Sequence, residues 1–267
     1  MKRTVIKQQS SLTMTLPKKW VERHGVQPAS ELTVIEAEDG TLTIRAENSS
    51  VTKSKTVQLQ DHTPSRLRTL IAGLYRRGYD KIVLESTKNF EIVQIEKIIQ
   101  TLTGLQVVSF QATRIELECT ATIPSDISTY ISKLFILSSY IVKEKENLKA
   151  DEIDLFRRQS LELRDYICRC IHKISYGAEK ETEYQILIFF LEKFANAATR
   201  TDSSVQTKSL TAMLDNLRIA LLKKDIELAQ TTNTALSLKL KQKMSPQEFI
   251  MADHLFSISS RVFSIVA

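Results

Sequence analysis

The chain has 267 residues and a formal net charge of +6, with 42% hydrophobic and 25% charged residues. That is enough apolar material for a real core, so wholesale disorder is excluded, and the length predicts two or three domains. No run approaches about 18 apolar residues, so neither a transmembrane helix nor membrane insertion is expected.

Residues 4–47 read as short strands around one short helix. Thr4–Lys7 and Leu12–Leu16 alternate or nearly so, and Leu32–Glu36 and Thr41–Arg45 flank Asp39-Gly40, a hairpin signal. Between the pairs, Pro17 suits a first helical position and Gly25 a C-terminal cap, which predicts about two helical turns. Asn48–Lys55 is polar and serine-rich and reads as a linker. Residues 56–120 alternate in type. Thr56–Leu59 reads as a strand, and Thr63-Pro64 opens a helix reaching Arg77-Gly78. Lys81–Glu85 is a short strand, Phe90–Thr103 a second helix closed by Gly104, and Val107–Phe110 and Ile115–Cys119 two further strands. The expected product is a small α/β unit with a mixed sheet.

From Pro124 onward every segment has helical period. Stripes beginning at Ile127, Ile153, Tyr184, Leu210 and Ile226 mark five helices. Ser245-Pro246-Gln247-Glu248 is a capping box that opens a sixth, with Met251, Leu255, Ile258, Val262 and Ile265 on one face. Six antiparallel helices predict a bundle, read as two units of three. The fold class is therefore multi-domain α+β: residues 1–50, 51–121 and 122–267 form a β domain, an α/β domain and a six-helix bundle.

The six glycines exclude familiar phosphate-cradling loops. Gly73 and Gly78 have the spacing of a P-loop, but Tyr79-Asp80 stands where Lys-Ser/Thr is required. No Rossmann fingerprint and no Gly-x-Ser-x-Gly elbow can be written. His24, His62, His172 and His254 lack any local triad signature, so no catalytic residue is assigned and an enzyme is not expected. In Cys168-x-Cys170-x-His172 the cysteines point about 200° apart on a helix. Only Cys168 and His172 could share an ion, and core cysteines beside an exposed histidine are favoured. Cys119 has no partner in the pattern, and three unpatterned cysteines suit a reducing cytoplasm. Arg76-Arg77 closes the middle unit's first helix. Basic residues there satisfy terminal carbonyls, with a ligand phosphate as the alternative.

Charge is concentrated at the start. The first 23 residues hold six basic side chains (Lys2, Arg3, Lys7, Lys18, Lys19, Arg23) against one acidic (Glu22), a net of +5. Basic groups on one strand and one helix suit a reader of phosphate backbone, and a solvated surface is the alternative. Thr4-Val5-Ile6-Lys7, Ser11-Leu12-Thr13-Met14-Thr15-Leu16-Pro17-Lys18-Lys19-Trp20-Val21, His24-Gly25-Val26 and Glu31-Leu32-Thr33-Val34 together resemble the SpoVT/AbrB-type swapped-hairpin DNA-binding domain. The resemblance implies a homodimer with interleaved hairpins in one barrel, and Arg3, Lys7, Lys18, Lys19 and Arg23 facing double-stranded DNA. The family also includes antitoxins.

Residues 124–267 resemble, in architecture more than in motif, the PhoU-type phosphate-uptake regulators. The three-part layout looks like the archaeal branch of that group. The family carries Glu/Asp-x-x-x-Asp on its third and sixth helices, where carboxylates one turn apart grip metal ions. Here Glu192 keeps the first carboxylate of the third helix and Asn196 replaces the second. On the sixth, Phe249 replaces the first and Asp253 keeps the second. With half the negative charge gone, no metal and no other cofactor is expected, and Glu192 and Asp253 read as ordinary polar or ion-paired residues. The resulting expectation is a cytoplasmic, homodimeric transcription regulator linked to phosphate or metal status. The alternative is a non-DNA-binding adaptor whose bundle docks a protein partner such as a transporter or kinase, the N-terminal module serving as a dimerisation clamp. A toxin–antitoxin partner is a third reading.

Overall fold

A computed structural model describes residues 3–36, 40, 42–46, 52–174, 176–200 and 207–267. The chain mixes strand and helix, with strands at its N-terminal end and helices over its C-terminal half. It divides into two compact units, Met1–Lys53 and Ser54–Ala267.

In the first unit, β1 (Val5–Gln8) pairs antiparallel with β2 (Ser11–Met14), and β3 (Leu32–Glu36) with β4 (Leu42–Ala46). Helix α1 (Lys18–His24) lies between the pairs in sequence, preceded by Pro17. Gly25 ends it at φ 61°, a left-handed cap that a side-chain-bearing residue adopts only at a cost. Of the expected β3–β4 turn, Gly40 has φ 77°, while Asp39 lies outside the described residues. Residues 48–51 of the expected linker lie outside them too, and the linker stops short of Ser54, because Ser54 and Lys55 pair with Lys81 and Ile82 in a strand.

The second unit begins with a four-stranded sheet in the order β5 (Ser54–Leu59), β6 (Lys81–Ser86), β8 (Arg114–Cys119), β7 (Leu105–Gln111). Only β5 and β6 run parallel, joined through α2 (Pro64–Arg76), and α3 (Ile92–Ile99) precedes β7. Thr63 Oγ1 accepts the Arg66 N–H and Pro64 fills the first helical turn, so α2 starts where its cap chemistry places it. Ile82, Val83 and Leu84 are all buried, the pattern of an inner strand covered on both faces. A core of α2, α3 and strand residues forms beneath, including Ile71, Tyr75, Ile95 and Leu117. Gly104 is required: a Cβ there would meet the Ala121 backbone nitrogen at 2.6 Å.

Six helices follow among the described residues: α4 (Ser128–Glu144), α5 (Ala150–Ile174), α6 (Ala178–Ala198), α7 (Thr207–Lys223), α8 (Ile226–Leu240) and α9 (Pro246–Val266). Both sequence-order triplets feed one continuous core running from Ile127 to Val262. Asp225 caps α8 and Ser245 caps α9 through the Leu228 and Glu248 N–H groups. Helix α9 has the length and apolar composition to cross a membrane. Its Met251, Leu255, Ile258 and Val262 are buried in the bundle core.

One buried cation ties the sheet layer to the bundle. Arg169 on α5 is 1% exposed and donates to the Tyr79 carbonyl (2.7 Å), the Tyr75 carbonyl (3.3 Å) and Asp80 Oδ1 (2.6 Å). Lys173, one turn on, donates to Asp80 Oδ2 at 2.5 Å. The Arg169 guanidinium also lies over the Tyr75 ring, 5.1 Å from its centre. These contacts add a side-chain donor to the Tyr75 carbonyl, which also accepts from the Gly78 N–H, and to the Tyr79 carbonyl just beyond α2. Tyr166 and Glu162 of α5 add hydrogen bonds to the Thr122 carbonyl and from the Thr103 hydroxyl. Arg169→Met should lower the unfolding free energy by about 2–4 kcal/mol in urea titrations of the full chain, because it removes one of the two cations on Asp80 and the side-chain donor to two carbonyls. A loss below about 1 kcal/mol would show that the network does not hold the layers together.

Candidate nucleic-acid interface

The β1–β2 register sets Val5 opposite Met14 and Lys7 opposite Leu12, and Ile6 opposite Thr13 on the other face. Thr13 Oγ1 donates to the Ile6 carbonyl at 3.2 Å, and Ser11 Oγ to the Gln8 carbonyl at 3.0 Å across a turn where Gln9 has φ 54°. Every residue of both strands is exposed, including Leu12 at 73%. The β3–β4 register puts Leu32, Val34, Leu42, Ile44 and Ala46 on one face, and Val34 and Leu42 are exposed as well. Among the described residues, none before Leu59 is buried. A single two-stranded hairpin is marginal in water, and here two hairpins present apolar faces with no core beneath them.

The basic residues lie in the same segment. Arg3 leads into β1 and Lys7 lies within it, on the face of Val5, Leu12 and Met14. Lys18 and Lys19 form the first turn of α1 and are both exposed. Lys18 lies 3.8 Å from Glu22, but at 89% and 61% side-chain exposure this pairing leaves the ammonium in solvent. Arg23 lies on α1, and its side chain falls outside the described residues. Trp20 and His24 stack one turn apart on the same helix, with ring centres 4.7 Å apart. Arg3, Lys7, Lys18 and Lys19 thus present exposed charge in the same segment that holds the exposed apolar faces.

The residues of the degenerate carboxylate motif have other occupations. Glu192 on α6 is buried and accepts from Arg164 Nη1 at 2.9 Å and from the Asn196 amide. Asn196 Oδ1 in turn accepts from Arg157 Nε at 3.3 Å. Asp253 on α9 is exposed. The space between α6 and α9, about 250 Å³, is lined by Lys193, Arg200 and His254 together with Asn196 and Gln247. That donor set repels a hard cation, and it does not fit the metal site of the PhoU-type pattern. Burial holds the His254 imidazole below its ordinary value, with Lys193 adding to the effect against Asp253.

The cysteines are free thiols. Burial pushes the Cys168 thiol up to about 12 and the Cys170 thiol to about 11, so both are protonated at neutral pH. The nearby His172 is exposed, and its Nδ1 lies 3.0 Å from the Cys168 carbonyl oxygen.

Residues 5–52 match the protein family described as "Antidote-toxin recognition MazE, bacterial antitoxin". That stretch contains the two hairpins and α1, and it supports the swapped-hairpin assignment of the N-terminal unit. No curated protein and no solved structure matches the chain.

Two outcomes follow from this geometry. At pH 8, Cys168 and Cys170 should react with iodoacetamide at least about tenfold more slowly in the folded chain than in urea, and faster as the pH rises toward 12, because the thiolate is the nucleophile. Equal rates in the two states would contradict the burial. If the exposed hairpin faces pair between copies, Leu12→Asp should lower the sedimentation coefficient of the full chain, since a carboxylate on that face opposes self-association. An unchanged sedimentation coefficient would remove that face from the interface.

Proposed function

We propose that this chain is a non-enzymatic, dimeric, DNA-binding regulator whose N-terminal unit grips duplex DNA and whose helical half receives a signal. The observation that carries the reading is the joint exposure of apolar hairpin faces and cations in one 50-residue segment. A second copy of the segment is the natural cover for those faces, because an identical hairpin presents the same apolar pattern and edges. Dimerisation would double the cation set to two copies each of Arg3, Lys7, Lys18, Lys19 and Arg23. Two such sets suit a duplex whose backbone repeats its phosphates along both strands.

The helical half has the Arg169 network as its means of transmitting a change. A ligand or partner that shifts α5 would act on the end of α2 through Tyr75, Tyr79 and Asp80. The link to phosphate uptake rests on the architectural resemblance of residues 124–267 alone. An antitoxin role is the second reading, favoured by the family description matched by residues 5–52. On that reading the chain neutralises a small toxin, and co-expression with such a toxin would restore growth.

The DNA reading is tested by duplex binding measured over a series of salt concentrations. Lys18→Ala/Lys19→Ala should weaken binding and reduce the slope of log K against log salt by roughly two to four, about 0.9 for each phosphate that a lysine of either protomer no longer neutralises. Both lysines are exposed, so folding should be unaffected. Unchanged affinity and slope would sink the assignment of α1 to the interface.

A further inference from the structure

A cleft of about 480 Å³ lies between α2, α5 and α6, within the range of small-molecule sites. Its polar lining consists of donors: Arg76 and Arg77 from the end of α2, Arg164 and His172 from α5, and Gln185 from α6. No carboxylate lines it among the described residues. Three guanidiniums thus line one cavity.

Two acidic residues behind the wall orient the cations. Asp165, buried, accepts from Arg164 at 2.8 and 3.0 Å and lies 3.9 Å from Arg76 Nη1. Glu192 holds Arg164 from the other side at 2.9 Å. Burial works against the Arg164 charge, but these two carboxylates outweigh it and hold its pKa above the ordinary value. The two carboxylates lie behind the wall, and the cleft lining itself carries three guanidiniums and no carboxylate among the described residues.

An anion beside the end of a helix ordinarily meets exposed carbonyls. Here several near the end of α2 are engaged. The Ala72 carbonyl accepts from Arg76 Nε at 3.2 Å, that of Gly73 from the Arg77 N–H, and that of Tyr75 from Arg169. Across the cleft stand Ile188 and the half-exposed Phe189 ring, with the protonated Cys168 between the polar groups. The site has a cationic end and an apolar wall.

We propose that this cleft binds a small organic anion of charge two or more, its anionic group held by Arg76, Arg77 and Arg164 and its body against Ile188 and Phe189. Guanidiniums meet carboxylate and phosphate alike through paired N–H donors, so the class covers phosphate monoesters and polycarboxylates. Such a ligand would join α2 to α5 and α6 beside the Arg169–Asp80 contact. The proposal does not rest on the DNA-binding reading, because ligand binding is measurable without DNA.

The test is equilibrium dialysis of the full chain against AMP, citrate, inorganic phosphate and adenosine at low salt. AMP or citrate should bind saturably with Kd below about 1 mM, and the tighter of the two identifies the anion type. Adenosine should fail. Arg77→Glu, at an exposed position, should weaken binding by at least about tenfold while circular dichroism and Tm stay unchanged. The proposal is overturned if neither AMP nor citrate binds, if adenosine binds as well as AMP, or if Arg77→Glu leaves binding intact. Inorganic phosphate binding as tightly as both organic anions would overturn the role given to the apolar wall.

Discussion

Apolar strand faces without a core dominate the behaviour of the N-terminal unit. Val5, Leu12, Met14, Val34 and Leu42 are strand residues by type and spacing, yet all five are exposed. Each large apolar side chain left in water forgoes about 1.5–3 kcal/mol of burial free energy, so the segment has a strong reason to find cover. On the proposed reading, self-association meets that need and brings together the cationic positions that a single copy presents only once. Dimerisation and duplex binding are in this account two consequences of one sequence pattern.

The remainder of the chain is organised differently. Its strands and helices bury two full clusters, and the contact between them is polar. Arg169 reaches out of the bundle to the last turn of α2 and to Asp80, and Lys173 reinforces it. Replacing such a network with apolar packing often costs nothing in stability. Its directionality is what distinguishes it: the hydrogen bonds specify one placement of α5 against the end of α2. The arginine-lined cleft opens along the same helices, and its α5 residues Arg164, Cys168 and His172 bracket Arg169 in sequence. A structural joint and a candidate ligand site therefore share an element.

Local chemistry makes much of this legible from the residues alone. Proline and capping residues at Pro17, Thr63-Pro64 and Ser245 locate helix starts, and Gly25 and Gly104 mark turns with φ above zero. The six helical stripes after Pro124 correspond to six helices because each stripe needs a core to face. Alternation in β1 and β2 predicts a buried face without saying what buries it, and among the described residues of the N-terminal unit none is buried. The pairing of Arg169 with Asp80 spans 89 residues and has no local signature. The cleft is legible only in part. Arg76-Arg77 stands out at a helix end, whereas Arg164, Cys168 and His172 share a stripe at four-residue spacing whose cysteine and histidine suggest metal ligands rather than an anion site. Asn196 and Phe249, standing where carboxylates are required, anticipate the cation-lined space between α6 and α9.

The central claim is that the N-terminal hairpins are completed by a second copy of the same chain. Amide hydrogen exchange of residues 5–14 and 32–46, followed across a dilution series, tests it most directly. The account predicts slow exchange in these strands at high protein concentration and progressive loss of protection on dilution, while β6 and the bundle helices stay protected throughout. Fast exchange in the hairpins at every concentration, or protection that ignores dilution down to the monomer, would contradict it.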